Sequence, residues 1–405
     1  MKNINQQSIM KIAFFTDSFY PRKCGVTTYL TSTIKRLREL KHEVMIVAPK
    51  HKNGPNEQEL NKLFNIQSTL LPSMSSIIYP DFKIGTPTPN SLLKIRHFQP
   101  DIIHFHTPGT VGFEAVLTAK ILKKPLIATF HTYFMEPEGF KIMGLNPQGK
   151  TAEVLNKALW GFAARFHNPA QIIIAPTKYV ALDLKKRWKN KNIVTIPGGV
   201  DLSLFQDRSR RKTLRKKFQL ENNFTVLTVG RLAHEKNLHV LIEGFSIFHQ
   251  QCPNSRLLII GDGPIKINLE FYSQALGLEN SVIFAGAIPY QKLSTDNYYS
   301  LADVFVSAST WDTQGLSVVE AMSSGLPLVV PKIKAMPEIT QGASILVKPN
   351  DPQSIGNALK KLANNTILRK KLSAKAKEVS KNFSIKTSTD RLLLLYQEVL
   401  AENKN

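Results

Sequence analysis

Short apolar runs alternate with amphipathic segments along most of the chain. In the first half, the runs at residues 11–17, 42–49, 101–107, 125–131, 171–177 and 192–198 are almost continuously apolar, which predicts strands buried on both faces. Segments with apolar residues at helical spacing, such as YLTSTIKRLREL and ALDLKKRWKN, lie between them. This alternation predicts βαβ units and a doubly wound parallel sheet of the α/β class.

The same pattern then repeats in the second half. Apolar runs at residues 224–230, 255–263, 281–287, 303–309, 326–331 and 344–349 predict a second sheet, and the chain reads as helical from Asp351 onward. We therefore expect two Rossmann-like domains, at residues 10–198 and 199–385, facing an interdomain cleft. A C-terminal helix at 386–405 is expected to be able to pack back, and residues 1–9 to form a disordered extension.

Charge and cysteine content narrow the function classes. The chain has 53 Lys and Arg against 30 Asp and Glu, and its formal net charge of +23 favours anionic partners. Two cysteines fit a reducing compartment rather than a disulfide framework. The polar start lacks a signal peptide's apolar core, and no apolar run approaches the roughly 20 residues of a membrane span. The sequence therefore predicts a cytoplasmic protein.

Polar residues follow several of the predicted strands. Ligands of parallel sheets bind outside the carboxyl ends of the strands, so these residues mark a candidate site. They are Asp17, His104, His106, His131, Arg231, Asp262 and Asp312.

The stretch STWDTQGLSVVEAMSSGLPLVV carries two acids on either side of Gly315. Asp312 falls on the loop after a strand, and Glu320 about one turn inside the following helix, so both can hold sugar or ribose hydroxyls. Free amides at the helix start favour an anion. The alternative is structural: Asp312 caps the helix and Glu320 complements its dipole.

Two further loops favour phosphate. In GRLAHEKNL, Arg231 and Lys236 flank a strand end, where paired cations suit a diphosphate, although lone surface charges are the alternative. Gly25 lies where the first strand turns into its helix and offers backbone amides to an anion. The chain has neither a GxGxxG fingerprint nor a GxxxxGK[ST] loop, which argues against an NAD enzyme or a P-loop ATPase.

Three histidines leave a metal site open as an alternative. His104, His106 and His131 converging at strand ends is compatible with zinc, but no acidic or cysteine partner is evident nearby, and we expect no metal. His131 is better placed to hydrogen-bond a ligand, or it is simply packed at its strand end. Charge alone permits RNA binding, but the chain has no RRM or KH signature, so no nucleic acid is expected.

These features together resemble the GT4 family of retaining glycosyltransferases, which have the two-domain GT-B fold. The resemblance spans residues 10–385 and rests on the order of its motifs: Gly25, FHTYF around His131, IPGGVD at 196–201, GRLAHEKNL, IIGDGP and the two acids seven residues apart. Two positions depart from the family pattern. Asp312 stands where the family usually has Glu, and Cys24 where many members have a second glycine.

The resemblance implies an acceptor-binding first domain and a nucleotide-sugar-binding second domain. Glu320 would hold the ribose, Asp312 the sugar hydroxyls, and Arg231 and Lys236 the diphosphate. The remaining roles implied are the Gly25 amide at the diphosphate, the amides near Gly315 and Leu316 at phosphate or sugar, Ile288 near the base, and His131 at the sugar 6-hydroxyl. His131, Asp312 and Glu320 are the residues assigned to catalysis. The nucleotide sugar is a substrate, and no cofactor is expected.

The acceptor is predicted from the resemblance to diacylglycerol glucosyltransferases and related lipid mannosyltransferases. We expect UDP-glucose to donate glucose to a diacylglycerol-type lipid, with the enzyme peripheral on the cytoplasmic membrane face. Segment 70–98, apolar and then basic, is consistent with contact at an anionic membrane or with a buried lobe. GDP-mannose-dependent mannosyl transfer and a polysaccharide acceptor remain alternatives. A UDP-GlcNAc 2-epimerase and a non-enzymatic anion-binding protein are different classes.

Overall fold

The computed structural model describes residues 9–22, 24–76, 83–136, 139–140 and 148–403. Of the predicted disordered extension at 1–9, residues 1–8 lie outside this part, as do residues 77–82 of segment 70–98. The chain divides into two compact units. The first unit is Met1–Gly199 with Ile385–Asn405, and the second is Val200–Ser384.

The main sheet of the first unit has seven parallel strands in the order β3-β2-β1-β6-β7-β8-β9. The strands are β1 Lys11–Phe15, β2 Glu43–Pro49, β3 Gln67–Leu71, β6 Ile102–Phe105, β7 Leu126–Thr129, β8 Ile172–Ala175 and β9 Asn192–Thr195. The sequence predicted all of these except β3, an edge strand whose first residues are polar. Strands β4 Ser73–Ser75 and β5 Lys83–Gly85 form a separate antiparallel pair within segment 70–98.

The sheet of the second unit has six parallel strands in the order β12-β11-β10-β13-β14-β15. They are β10 Phe224–Val229, β11 Ser255–Ile260, β12 Val282–Gly286, β13 Val304–Val306, β14 Leu328–Pro331 and β15 Ser344–Val347. Each lies inside a predicted apolar run. The GT-B expectation of two Rossmann-like units with parallel sheets is confirmed.

Helices connect the strands in both units. In the first unit they are Gly25–Glu39, Glu57–Phe64, Pro89–Phe98, Thr110–Leu122, Gly149–His167, Lys178–Arg187 and Ile385–Glu402. In the second unit they are Arg211–Lys217, Leu238–His249, Lys266–Ala275, Tyr290–Thr295, Leu316–Ser323, Met336–Thr340, Pro352–Asn364 and Thr366–Ser380. None of the helices in the described ranges combines the length and the apolar character needed to cross a membrane.

The second sheet is buried on both faces because successive residues of its strands point to opposite sides. Leu227 and Leu258 pack in one apolar cluster. Their strand neighbours Val226 and Leu257 pack in the other. The near-continuous apolar runs of the sequence follow from this two-sided burial.

Each sheet reverses its strand order beside its first strand. In the first unit, β2 lies on one side of β1 and β6 on the other; in the second, β11 and β13 flank β10. Such a reversal is where the loops after neighbouring parallel strands diverge and leave room for a ligand. The candidate residues of each unit are therefore expected at the ends of β1 and β6, and of β10 and β13.

The C-terminal helix Ile385–Glu402 belongs to the first unit although it follows the second in the chain. Its Ser388 hydroxyl donates to the Pro197 carbonyl at 2.6 Å. Its Tyr396 hydroxyl lies 2.7 Å from His104 Nδ1, and both side chains are fully buried. Buried polar pairs of this kind fix the position of a helix, because each group left without its partner costs free energy.

Removing the Tyr396 hydroxyl tests this anchor. Tyr396→Phe leaves His104 Nδ1 buried without its partner, and we expect the free energy of unfolding of the first unit to fall by about 1–3 kcal/mol. Urea unfolding followed by fluorescence and circular dichroism measures the change. Tyr20→Phe is the matched control because Tyr20 is 42% exposed. Equal destabilisation by both substitutions would contradict the anchoring role.

Candidate active site

A pocket lies at the ends of β10 and β13 in the second unit. Its lining includes Gly230, Arg231, Lys236, Asp312 and Ser317. The loop after β10 supplies the first three and the loop after β13 the others. Three residues that the sequence singled out, Arg231, Lys236 and Asp312, therefore come together at the strand-order reversal.

Each cation in this pocket is paired with a carboxylate. Lys236 Nζ lies 2.6 Å from Asp312 Oδ1. The Arg231 guanidinium is bonded to Glu235, a nearly buried residue that the sequence analysis missed. The four-residue spacing of Arg231 and Glu235 was the available signal. These pairs hold the two cationic heads at fixed positions, so the reading of lone surface charges is wrong.

The loop after β11 packs closely on the loop after β10. A Cβ at Gly261 would lie 1.8 Å from the Gly230 carbonyl oxygen, and the φ of Gly261 is +148°. No other residue fits such an approach. The GDGP motif therefore shapes the backbone beside Arg231, and its glycines do not form part of a dinucleotide fingerprint.

The helix Leu316–Ser323 begins after Gly315, which has a φ of +69°. No side chain caps this helix, so the alternative of Asp312 as a helix cap is wrong. Asp312 instead bonds Lys236. Gly315 lies at the helix start, and Leu316 is partly buried against the core of the unit.

Glu320 is buried and accepts hydrogen bonds from tyrosine hydroxyls. Tyr299 donates to Glu320 Oε2 at 2.5 Å, and Tyr290 also donates to the carboxyl. Burial raises the pKa of Glu320 to about 7, although both tyrosine hydrogen bonds oppose the rise. The sequence did not point to Tyr290 or Tyr299, because no spacing rule links them to Glu320. Ile288 lies two residues after β12 and packs against the same apolar cluster as Tyr290.

In the first unit, three histidines form a buried row at the ends of β6 and β7. His106 Nδ1 lies 3.0 Å from His131 Nε2, and the rings of His104 and His106 are 4.2 Å apart. His104 bonds Tyr396 and Thr129, each at 2.7 Å. Burial lowers the pKa of His104 and of His131 to about 3, so both are neutral at physiological pH.

These contacts argue against the zinc alternative. Both ring nitrogens of His104 already have protein partners, and His106 and His131 bond each other. Among the residues described in the structure, no group of three or more His, Cys, Asp or Glu side chains is placed to hold a metal ion.

Asp17 and Gly25 lie in the loop region after β1. The Thr107 hydroxyl, next to β6, donates to Asp17 Oδ2 at 2.8 Å, which links the two strands at the reversal. Burial raises the pKa of Asp17 to about 7. Gly25 is the first residue of its helix, where a Cβ would meet no atom within 4 Å, and Cys24 makes no side-chain capping bond. The backbone at Gly25 is therefore open to a ligand.

Comparison with known families decides the class of the protein. Residues 24–204 match the family described as Glycosyltransferase Family 4, and residues 210–379 match Glycosyl transferases group 1. The two matches follow each other along the chain and correspond to the two structural units. The chain is a family 4 glycosyltransferase.

Relatives of this glycosyltransferase carry names of two kinds. It is 29% identical over 327 residues to "Alpha-monoglucosyldiacylglycerol synthase" of Streptococcus pneumoniae, covering 79% of this chain and 70% of the relative. It is 26% identical to "GDP-mannose-dependent alpha-mannosyltransferase" of Mycolicibacterium smegmatis, covering 80% of each. The crystal structure of Anabaena HepE in complex with UDP-glucose superposes with a TM-score of 0.75 at 20% identity, covering 97% of this glycosyltransferase and 100% of that chain. This likeness shows the GT-B fold.

The raised pKa of Glu320 predicts a pH-dependent stability. As the pH rises from about 4.5 to about 7, the unfolded chain releases this proton before the folded protein does. The contribution of Glu320 to the free energy of unfolding therefore falls through this window, by on the order of 3 kcal/mol, and is constant above it. Glu320→Gln removes the effect.

Urea unfolding of wild type and Glu320→Gln between pH 4.5 and 8 measures this contribution as a difference, in which the other titrating groups cancel. The wild type should lose stability relative to the variant as the pH rises. Glu279→Gln, at an exposed position of the same unit, is the control and should show no such trend. A pH-independent difference for Glu320→Gln would refute the raised pKa.

Proposed function

We propose that this glycosyltransferase transfers glucose from UDP-glucose, with α linkage and retention of configuration, to a diacylglycerol-type membrane lipid. The observation that carries the donor half is the pocket in which Arg231 and Lys236 are held beside Asp312, close to the helix that bears Glu320. The acceptor half is supported by relatives named as synthases of a glucosyldiacylglycerol. The product would be a glycolipid.

The donor fits this pocket by charge and by hydrogen bonding. Two cations suit a diphosphate, and their carboxylate partners orient them before the substrate arrives. Asp312 has further lone pairs for sugar hydroxyls. Glu320 likewise has room to accept from a ribose diol, because a carboxylate offers about four acceptor positions and the tyrosines use only some. Ile288 would lie beside the base, and the Gly315 and Leu316 amides would contact phosphate or sugar.

The first unit has two proposed donor contacts, and both rest on the family resemblance. His131 would hydrogen-bond the donor sugar, for which its neutral imidazole is suited. The Gly25 amide would meet the diphosphate, and its open surroundings support this role.

The proposed chemistry follows from where charge develops. Cleavage of the bond between the sugar and the nucleoside diphosphate builds negative charge on the leaving oxygen, which Arg231 and Lys236 would stabilise. The acceptor hydroxyl would then attack the oxocarbenium-like sugar from the face that the diphosphate leaves, which retains the anomeric configuration. The described pocket offers carboxylates to hydroxyl groups, and none of the steps requires a metal ion.

A second donor is favoured by the names of several relatives. GDP-mannose-dependent mannosyltransferases match over a similar share of the chain. The features described in the pocket grip ribose, diphosphate and sugar hydroxyls, which the two donors share. The base and the sugar therefore have to be distinguished by experiment.

Removing the pocket cations tests the donor site. Arg231→Ala and Lys236→Ala should each lower kcat/KM about 10²–10³-fold, because each removes charge stabilisation of the leaving diphosphate. Steady-state release of nucleoside diphosphate measures the effect. Lys266→Ala, which breaks a surface pair with Glu270 at 3.7 Å in the same unit, is the control and should leave kcat/KM within about threefold. Losses under tenfold in both pocket variants, with folding intact by circular dichroism, would argue against the diphosphate role.

The proposed reaction is tested with UDP-glucose and GDP-mannose in separate incubations, each with and without diacylglycerol in vesicles. We expect UDP release that depends on diacylglycerol, with an α-glucosylated lipid as product by mass spectrometry and NMR. Lipid-dependent release of GDP instead would identify the mannosyltransferase alternative. Transfer to a soluble glycan would indicate a polysaccharide acceptor, and conversion of UDP-GlcNAc without acceptor an epimerase. Any of these last results would overturn the proposal.

A further inference from the structure

The helix Thr110–Leu122 of the first unit is apolar on its outer side as well as its inner side. Phe113, Leu117 and Ile121 are 56%, 42% and 50% exposed. Spaced four residues apart, they line one side of the helix over about 12 Å. The outer side of a surface helix normally carries charged and polar residues, so these three side chains, here called the apolar face, need a partner.

The neighbouring helix Gly149–His167 extends the apolar face. A Cβ at Gly112 would lie 3.6 Å from a ring carbon of Phe166, so the two helices touch there. Phe166 in turn packs on Phe162 with ring centroids 4.9 Å apart, and Phe162 is 41% exposed. Exposed aromatic and aliphatic side chains therefore lie on two adjacent helices.

The charges around the apolar face are mainly positive. Within Thr110–Leu122 the acidic Glu114 is buried and bonded to Ser91, while Lys120 is exposed. Lys123 and Lys124 follow directly at the end of the helix. On Gly149–His167, the exposed charged residues are Lys150, Lys157 and Arg165, with Glu153 as the one exposed acid of that helix.

The apolar face begins at the carboxyl edge of the first sheet. A Cβ at Gly109, which precedes the helix, would lie 2.6 Å from Asp17 Oδ2 at the end of β1. Phe113, the first member of the face, is one turn further on. A surface bound along this helix is therefore brought to the edge that carries the candidate residues of the first unit.

We propose that the apolar face and the surrounding cations form the docking surface for an anionic phospholipid bilayer. Large apolar side chains ringed by Lys and Arg match the interface of such a membrane, where apolar groups enter the headgroup boundary and cations contact lipid phosphates. A second copy of the chain fits less well, because a symmetric pair would bring like charges together. The inference rests on the proposed function in placing the acceptor in a membrane.

Vesicle sedimentation of the full-length protein tests the docking surface without donor or acceptor. Wild type is mixed with phosphatidylcholine vesicles, with or without 30 mol% phosphatidylglycerol as about one charged lipid in three. We expect binding to the anionic vesicles and at least about tenfold weaker partition for Leu117→Asp, which puts an anion into the apolar face. Leu182→Asp is the matched control, since Leu182 is 61% exposed on another helix of the same unit, and it should bind as wild type does.

The outcomes separate this inference from the proposed reaction. Leu117→Asp should keep donor turnover with a short-chain diacylglycerol that needs no membrane, since Leu117 is outside the candidate site. If wild type fails to sediment, or if both Asp variants bind equally, the docking surface is refuted whatever the enzyme transfers. If wild type forms a dimer by analytical ultracentrifugation that Leu117→Asp alone abolishes, and does not bind vesicles, the face is a self-association surface and the inference is overturned. Docking without lipid glucosylation refutes only the proposed reaction.

Discussion

The reversal of strand order beside β1 and β10 is the constraint on which both candidate sites depend. Right-handed crossovers place the helices that follow neighbouring strands on opposite faces of the sheet at such a point, so the loops diverge and expose backbone amides and side chains. In the second unit this brings the loop of Arg231 and Lys236 beside that of Asp312. In the first it brings Asp17 to Thr107.

Charge balance sets the character of the second unit's pocket. Arg231 and Lys236 are each neutralised by a carboxylate, so the pocket holds two cations ready without a large unpaired charge. Glu320 is different, because it is buried with tyrosine hydroxyls as partners and has no cation beside it in the described contacts. Its raised pKa is the cost of that burial. A ligand that donates hydroxyl hydrogen bonds would stabilise the ionised form.

The first unit depends on a chain element that comes from the far end of the sequence. Tyr396 on the C-terminal helix bonds His104, whose ring packs on His106, which bonds His131. Because all three imidazoles are buried, the neutral form is favoured and each hydrogen bond has a defined donor and acceptor. The orientation of His131 is thereby tied to the packing of the last helix.

The sequence by itself determined the two parallel sheets, the strands other than β3 to β5, and the loops that hold Gly25, His131, Arg231, Lys236, Asp312, Gly315 and Glu320. Apolar runs of strand length and polar residues at their ends are local signals, and burial of a parallel strand on both faces makes them strong. The partners of these residues depended on the tertiary structure. Glu235, Tyr290 and Tyr299 come from loops and helices that no periodicity connects to the acids and cations they bond. The return of Tyr396 to His104 spans 292 residues, and the apolar face became visible only when packing left Phe113, Leu117 and Ile121 uncovered. Hydrogen bonds and exposure arise from which elements pack together, and a local pattern does not contain that information.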